Sequence, residues 1–472
     1  MKFKTYIKAL LVSGACLTLT ACNDFLDETP KGTIIPETVD DFGMILDDAT
    51  GAWGNQIAYG TSNTLTMDDD VVIVPERESE VYKQEFKAYC WDEQLYEPTG
   101  DDYDYSGFYK VIYFCNHILN NIDDAPDGDG KYRRNEVKAN ALVNRAFAYL
   151  MLVNIYAKPY DAATAATDPG VALILDADPS LRLPRATVQE VYTQVIADAT
   201  AALGLLPDMP RYSFRASDAA ANALLARTYL YMGDYEKSYG YAEKAAGKVG
   251  EPFDFNNLEL YGNNPDNGVD GGWITSSYDG YACPDVVFYK RTTCSASYYY
   301  TVSDDLLNLF DKDADLRYRI FITPYELYDD DYLDEFGMRI GDVWDFNFGL
   351  GKGEIYLTAA ETAARNGNLE AARKYLNALR VKRMDAELYE DVTETDKDAL
   401  LKTILEERRR ELMFTGLRWF DLRRLNREPQ FAKTITHTTS RGVLTLEPGS
   451  PRYTLQIPQS VIDANPLIKQ ND

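Results

Sequence analysis

Two stretches of the chain repeat one pattern, in which a helix, a tight bend and a second helix follow each other. Glycine opens each bend, at Gly233 and Gly367, and alanine and other small or apolar residues recur at three- and four-residue spacing over 225–245 and 359–379. Glycine accepts the backbone conformation of such a bend, and small side chains let the two helices approach closely. This pattern is typical of tetratricopeptide-like helix pairs, which bury a continuous core only when several stack together.

Helical periodicity also runs through other segments of the chain. Apolar residues there keep the spacing of an amphipathic helix. The sequence predicts helices over 140–156, 187–205, 217–232, 235–246, 354–366, 369–382 and 398–414. We therefore expect a mainly α fold, in which the helices near 140–205 and 398–426 supply the further pairs of the scaffold.

Two long stretches break this helical pattern. Residues 26–104 and 251–353 are rich in Gly, Asp and Tyr, a composition that predicts irregular, loop-rich structure. Long ordered loops in an otherwise helical protein frequently carry its function. We expect the functional site to lie in these two loop regions.

The first residues have the composition of an export signal. Lysines near the start precede an uncharged and mostly apolar run over 9–21, which is too short to span a bilayer permanently. The run ends in Leu19-Thr20-Ala21-Cys22, which resembles the lipobox of bacterial lipoproteins. We predict a signal peptide over 1–21 and a lipidated Cys22 at the start of a single domain over 22–472. A plain secretory signal with a chance cysteine is the alternative.

The charge balance excludes one class of partner. The chain has 48 Lys and Arg against 75 Asp and Glu, for a formal net charge of −27. Such a chain repels phosphate backbones and anionic lipid headgroups. We therefore expect no nucleic-acid binding, and we expect attachment to a membrane through the lipid on Cys22.

Cysteine and histidine are too sparse for most metal or catalytic sites. Beyond the signal and Cys22, the cysteines are Cys90, Cys115, Cys283 and Cys294. We expect them to be reduced and buried, although export would permit a disulfide between Cys283 and Cys294. The only histidines are His117, which we expect to pack on a helix, and His437. A histidine-rich metal site is therefore excluded, and a Ser/His/Asp triad would need one of these two.

The C-terminal region carries the most specific motif of the chain. The string EERRREL over 406–412 leads into FTGLRWFDLRR over 414–424. By itself this predicts a helix with charge pairs along one face, such as Glu406 with Arg410 and Arg418 with Asp421. The string also resembles a signature of the SusD-like (RagB-like) nutrient-binding lipoproteins. Further matches follow the family order over 22–27, 145–149, 185–192 and 457–471.

This resemblance implies a single α-rich domain, with about four tetratricopeptide-like helix pairs as the scaffold and irregular loops as the binding surface. Members of that family sit on the outer membrane over a SusC-like TonB-dependent transporter and deliver glycans or sometimes peptides to it. Two positions depart from the family pattern. The segment 157–159 lacks the glycine often found before its proline, and Thr415 stands where an acidic residue is common.

The family motifs leave the ligand residues unspecified, so we predict them from the chemistry of sugars. Sugars present C–H faces that stack on aromatic rings, and hydroxyls that bond to Asp, Asn and Arg. The predicted ligand-binding residues are Trp53, Asp69, Arg77 and Trp91 in the first loop region and Trp273, Tyr278, Tyr281 and Tyr298 in the second. As alternatives, Trp91 could anchor its loop and Arg77 could pair with Glu76 or Glu78. Some of the rings in the second region must belong to the core.

We expect no cofactor, no metal and no catalysis. Residues 311–315 begin like a calcium loop, but Leu316 and Ile322 occupy the glycine and glutamate positions. The acidic run over 329–335 has the residue types for a hard-cation site, but we interpret it as a solvated loop. The sequence thus predicts a glycan-binding protein. A peptide-binding protein of the same family and a glycoside hydrolase with a carboxylate pair are the alternatives.

Overall fold

The computed structural model describes residues 36–48, 57–61, 63–97, 100, 102–210, 212–258, 260–261, 273–274, 282–291, 300–324, 338–340 and 347–471. The predicted lipidation site Cys22 lies outside these residues, as do Trp53, Tyr278, Tyr281, Tyr298 and Cys294. The helical part of the chain is thus described nearly throughout, and each loop region in part.

Helices dominate the described chain, so the predicted mainly α fold is confirmed. The helices are α1 Val39–Ile45, α2 Lys83–Tyr89, α3 Tyr103–Asn121, α4 Arg134–Tyr156, α5 Val188–Ala202, α6 Asp218–Met232, α7 Tyr235–Val249, α8 Asp304–Leu307, α9 Leu316–Phe321, α10 Lys352–Arg365, α11 Leu369–Arg380, α12 Lys397–Glu411, α13 Arg418–Leu425 and α14 Gln459–Ala464. Short 3₁₀ helices cover Pro75–Arg77, Phe255–Asn257 and Pro451–Tyr453. The strands are β1 Val71–Ile73, β2 Leu260–Tyr261, β3 Trp273–Ile274, β4 Val286–Phe288, β5 Tyr300–Val302, β6 Ile322–Pro324, β7 Met338–Ile340, β8 Leu350–Gly351, β9 Ile435–Thr439 and β10 Gly442–Leu446.

Every segment that the sequence predicts as helical is a helix, with shifted ends. Helix α12 stops at Glu411 instead of continuing to 414. Phe414 and Gly416 adopt positive φ angles of 59° and 81°, which a right-handed helix does not allow. Helix α3 had no predicted bounds, although His117 was expected to lie on a helix, because its first turns are as rich in Tyr and Asp as the loop before them.

The two glycine bends have the geometry that the repeat pattern predicts. Gly233 closes α6 with φ of 77°, and the Asp234 side chain then accepts a hydrogen bond from the Lys237 N–H to begin α7. Gly367 has φ of 84°, and Asn368 caps α11 in the same way. Because each bend is so short, the two helices of a pair run antiparallel.

The long helices stack in chain order around a continuous core. Helix α4 packs between α3 and α5, α6 packs between α5 and α7, and α10 contacts α7, α11 and α12. Every residue of α4 from 139 to 156 is buried, so this helix runs through the middle of the core. Each large apolar side chain buried there contributes about 1.5–3 kcal/mol to folding. Among the described residues, no helix has both the length and the apolar character needed to cross a membrane.

Most charges of the C-terminal motif pair between elements, and only Glu407–Arg410 and Asp421–Arg424 are pairs within one helix of the described motif. Arg410 pairs with Glu407 instead of Glu406, while Arg418 reaches the first loop region instead of Asp421. The Asp421 carboxylate instead accepts from Arg408 of α12 and from Arg424. The predicted pairs within the helix are therefore wrong. The motif is buried among several elements, so its charges meet partners that are distant in sequence.

Candidate ligand-binding site

Short strands join the two loop regions, which lie far apart in sequence. Strand β1 pairs antiparallel with β5, so that Val71 lies opposite Val302 and Ile73 opposite Tyr300. An isolated bridge also links Tyr59 to Arg291. We call residues 57–61, 63–97, 282–291 and 300–324 the loop layer. Because both regions belong to one layer, their side chains can contribute to one binding surface.

Asp69 lies at the point where the loop layer meets the C-terminal motif. Arg418 donates to both of its carboxylate oxygens, and the Lys433 Nζ donates to Oδ2 at 2.8 Å. The Arg409 Nη2 lies 3.2 Å from the same oxygen. Burial alone would raise the pKa of Asp69, but these cations outweigh burial and hold the pKa well below its usual range. Asp69 thus tethers the loop layer and is not free to bind a sugar hydroxyl, contrary to our prediction.

The neighbouring carboxylates Asp68 and Asp70 are also buried. The Asp68 side chain accepts from the Asp70 N–H at 2.9 Å, and burial followed by the charge of Asp70 raises the pKa of Asp68 well above its usual range. Asp70 accepts from Arg409 Nε at 2.5 Å. The acidic run of the first loop region therefore serves as an internal anchor.

Trp91 is a core residue, which is the structural alternative considered above. Its side chain is buried, and its indole N–H donates to the Met67 carbonyl at 2.9 Å. The ring stacks on His437 with centroids 4.2 Å apart, and His437 stacks on Tyr89 at 3.9 Å. A ring held in this stack offers no free face, so the prediction that Trp91 binds the ligand is not retained.

Neither histidine is placed as a general base. Both ring nitrogens of His437 contact backbone carbonyls, that of Tyr89 at 2.7 Å and that of Asp68 at 2.9 Å. Burial lowers the pKa of His437. His117 packs edge-on against Phe42, as expected for a packing residue.

Arg77 forms an ion pair within its own loop. Its Nη1 donates to both carboxylate oxygens of Glu80, at 2.6 and 2.7 Å. The sequence analysis considered an ion pair with Glu76 or Glu78, whereas the structure pairs Arg77 with Glu80, three residues further on. The Glu78 carboxylate instead accepts from the Ser440 N–H at 2.7 Å. The Arg77 side chain remains partly buried at the edge of the loop layer.

Some aromatic rings of the second loop region lie in the core, and others lie outside the described residues. Tyr289 and Tyr300 are buried, which confirms that some of these rings belong to the core. The Tyr300 hydroxyl donates to Glu85 of α2, across the two regions. The Trp273 backbone belongs to β3, where it lies opposite Tyr261.

Exposed rings occur at positions that the sequence analysis missed. Tyr82 is 71% exposed at the start of α2, within the loop layer. Tyr212 is 40% exposed and stacks on Phe214 with centroids 5.1 Å apart. The Ser213 carbonyl between them accepts the Tyr289 N–H, so this loop contacts the loop layer. The local sequence gave little indication that Tyr82 and Tyr212 are exposed, because a single Tyr in a polar loop resembles many others.

A cleft of about 190 Å³ borders the loop layer. It lies between residues 93–96 and the C-terminal segment 455–459, with Gln470 at its edge. The Gln470 side-chain amide is already engaged, because it bonds to both the N–H and the carbonyl of Ile457. The cleft is small compared with typical ligand pockets of about 300–1,000 Å³, so it could hold no more than the end of a chain ligand.

Within the described ranges, no group of three or more His, Cys, Asp or Glu side chains is arranged to hold a metal ion. The Asp311 side chain accepts from the N–H groups of Asp313 and Ala314, and Asp315 pairs with Arg317. The segment 311–315 is therefore a hydrogen-bonded turn. The acidic run over 329–335 lies outside the described residues.

The described fold is a stack of helix pairs with a layer of long loops, which is the architecture that the sequence resemblance implied. The chain belongs to the SusD/RagB family. A SusD-like family profile, described as starch-binding and associating with the outer membrane, matches residues 24–230. The SusD family profile matches residues 352–472.

Individual relatives agree with this assignment. The SusD-like protein P2 of Formosa agariphila is 29% identical over 234 residues, which are 47% of this chain and 42% of that relative. The match thus spans less than half of the relative's length. A provisionally named sugar-binding protein of Bacteroides vulgatus has a TM-score of 0.68 at 22% identity, with 93% of this chain and 99% of that chain covered. A SusD superfamily protein of Bacteroides thetaiotaomicron has a TM-score of 0.67 at 24% identity, with 92% and 100% covered. These structures show the fold.

Proposed function

We propose that this protein is a cell-surface lipoprotein that captures oligo- or polysaccharide and passes it to a SusC-like TonB-dependent transporter of the outer membrane. The observation that carries the proposal is the anchoring of two loop regions, both rich in aromatic residues, as one layer on a scaffold of this family. The starch-binding description of the matching profile and the sugar-binding name of a structural relative support a glycan as the ligand.

The proposed contacts to the glycan are aromatic side chains that stack on sugar faces. Tyr82 and Tyr212 join the set because of their exposure, and Asp69 and Trp91 leave it because of their burial and contacts. Arg77 remains a proposed polar contact. The rings predicted from the sequence that stay in the set are Trp53, Trp273, Tyr278, Tyr281 and Tyr298. Each stacked ring is expected to contribute on the order of 1 kcal/mol.

Two alternatives remain, a peptide ligand and hydrolysis of a glycan. The described carboxylates Asp68, Asp69 and Asp70 are buried or ion-paired, which favours binding without turnover. Isothermal titration of the purified chain over 22–472 against polysaccharides and oligopeptides tests the ligand class. We expect saturable binding of at least one glycan. Binding of oligopeptides alone would establish the peptide alternative.

The same glycans, incubated with the protein and separated by chromatography, test for catalysis. We expect no shortening of the chains. Products that form in proportion to the protein concentration would establish a hydrolase instead.

The membrane anchor and the partner need separate experiments. Metabolic labelling with a clickable fatty acid is expected to label the wild-type protein and not Cys22→Ala; a wild-type protein without label would exclude the lipid anchor.

Affinity purification through a tag on this chain, from detergent-solubilised outer membranes, is expected to recover a TonB-dependent transporter. Recovery of the tagged chain alone at low salt and mild detergent would contradict the transfer step.

A further inference from the structure

Arg423 is a buried cation without a carboxylate partner in the described structure. Its side chain in α13 is 4% exposed. Nη2 donates to the Ala157 carbonyl and lies 3.4 Å from the Thr454 hydroxyl, whereas Nε and Nη1 have no hydrogen-bond partner. The neighbouring Arg424, in contrast, pairs with Glu361 and Asp421. Arg423 therefore has both an unbalanced charge and unsatisfied donors.

The ionisable groups that act on the Arg423 guanidinium are tyrosine hydroxyls. The hydroxyls of Tyr192, Tyr231 and Tyr453 lie within electrostatic reach of the guanidinium, and the Tyr231 hydroxyl also lacks a hydrogen-bond partner. Burial lowers the pKa of Arg423 to about 10, so the side chain keeps its charge at neutral pH. Burial raises the pKa of Tyr231, so its hydroxyl stays neutral.

We propose that Arg423 and Tyr231 hold a small monovalent anion of the halide type inside the helical scaffold. A buried charge without a counterion is costly, and so is each unsatisfied buried donor. A water molecule would accept hydrogen bonds from these donors but would leave the charge unbalanced. A halide does both. This site lies among α5, α6, α13 and the 3₁₀ helix Pro451–Tyr453, and it includes none of the residues proposed above to contact the glycan.

Bromide provides the direct test, because it replaces chloride and scatters anomalously. Crystals of the chain over 22–472, soaked in sodium bromide, are expected to show an anomalous peak within hydrogen-bond distance of Arg423 Nε or Nη1. The melting temperature is expected to rise saturably with sodium chloride, compared with sodium gluconate at equal ionic strength. Because the anion binds only the folded chain, a shift on the order of 2 °C is expected.

Variants separate a specific site from a general salt effect. Arg423→Met should abolish the peak and the saturable shift, and Tyr231→Phe should weaken both. Arg133→Met, at an exposed arginine, is the matched control and should retain them. If Arg423→Met does not fold, Tyr231→Phe and the wild-type bromide peak decide. Density for water without an anomalous peak at Arg423, or an equal halide response in the Arg423 or Tyr231 variant, would overturn the proposal.

Discussion

Arg418 of α13 donates two hydrogen bonds to Asp69 of the loop layer, from Nε to Oδ1 at 2.7 Å and from Nη2 to Oδ2 at 3.0 Å, across 349 residues of sequence. Both side chains are nearly buried, so this ion pair is shielded from solvent. Lys433 adds a third bond to the same carboxylate. The motif by which the family is recognised thus holds the loop region in which a ligand surface is proposed.

Arg418→Met is expected to destabilise the protein by about 3–5 kcal/mol, because it leaves a buried carboxylate without its main partner. Urea denaturation measures the change in the free energy of unfolding. The control is Arg427→Met, whose pair with Asp161 is solvent-exposed and should be worth no more than about 1 kcal/mol. Equal losses of unfolding free energy in the two variants would show that the pair of Arg418 with Asp69 stabilises the fold no more than an exposed ion pair does.

Trp91→Ala is expected to lower the free energy of unfolding by about 3–5 kcal/mol, because it removes a buried ring from its stack on His437. Tyr82→Ala removes an exposed ring from the same loop region and should change stability by less than about 0.5 kcal/mol. Denaturant unfolding of both variants gives the comparison. A Trp91 variant as stable as the parent would contradict its place in the core.

Tyr82→Ala is expected to weaken binding of the best glycan by about five- to tenfold, through loss of one stacking contact worth on the order of 1 kcal/mol. The control is Tyr113→Ala, because Tyr113 is 41% exposed on α3 and lies outside the loop layer. Calorimetric titration of both variants decides the matter. Equal affinities for the two variants would remove Tyr82 from the proposed surface and leave glycan binding by the parent intact.

Asp102→Asn is expected to change the pH dependence of stability. Burial, and then the charge of Asp104, raises the pKa of Asp102 in the folded protein to about 7. The folded chain thus binds this proton more tightly than the unfolded chain, so the stabilisation is present at low pH and is lost as pH rises from about 4 to about 7. Asparagine keeps the cap on α3 without the charge. The stability of the variant relative to the parent should therefore increase over this window in urea denaturation. A constant difference from pH 4 to 8 would refute the shifted pKa.

Lys290→Met is expected to change the pH dependence of stability above neutral pH. The Lys290 Nζ is buried, donates to the Asn144 side chain at 2.6 Å and to the Ile57 carbonyl, and has its pKa lowered by burial to about 7. Between about pH 7 and about pH 10 the unfolded chain binds this proton and the folded chain does not, so parent stability should rise with pH. The variant should lack this rise. Denaturation between pH 6.5 and 9.5, with both proteins compared at each pH, measures it; parallel curves would contradict the prediction.

Local sequence determined the scaffold to a large extent. The predicted helices all form, and the bends at Gly233 and Gly367 adopt the expected backbone conformations. These features depend on side-chain spacing and on residues within a few positions of each other, so the sequence contains what is needed to predict them. Recognition of the family also needed only the order of short motifs.

Tertiary structure alone decided which side chains are available to a ligand. Trp91 is buried and Tyr82 is exposed although both lie in the same loop region, because His437 of β9, far along the chain, stacks on the Trp91 ring. Asp68 and Asp69 are adjacent, yet the pKa of Asp68 is raised well above its usual range and that of Asp69 is held well below it. Both carboxylates are buried, but Asp69 alone bonds directly to Arg418 and Lys433, whose positions depend on how the end of the chain packs against its beginning.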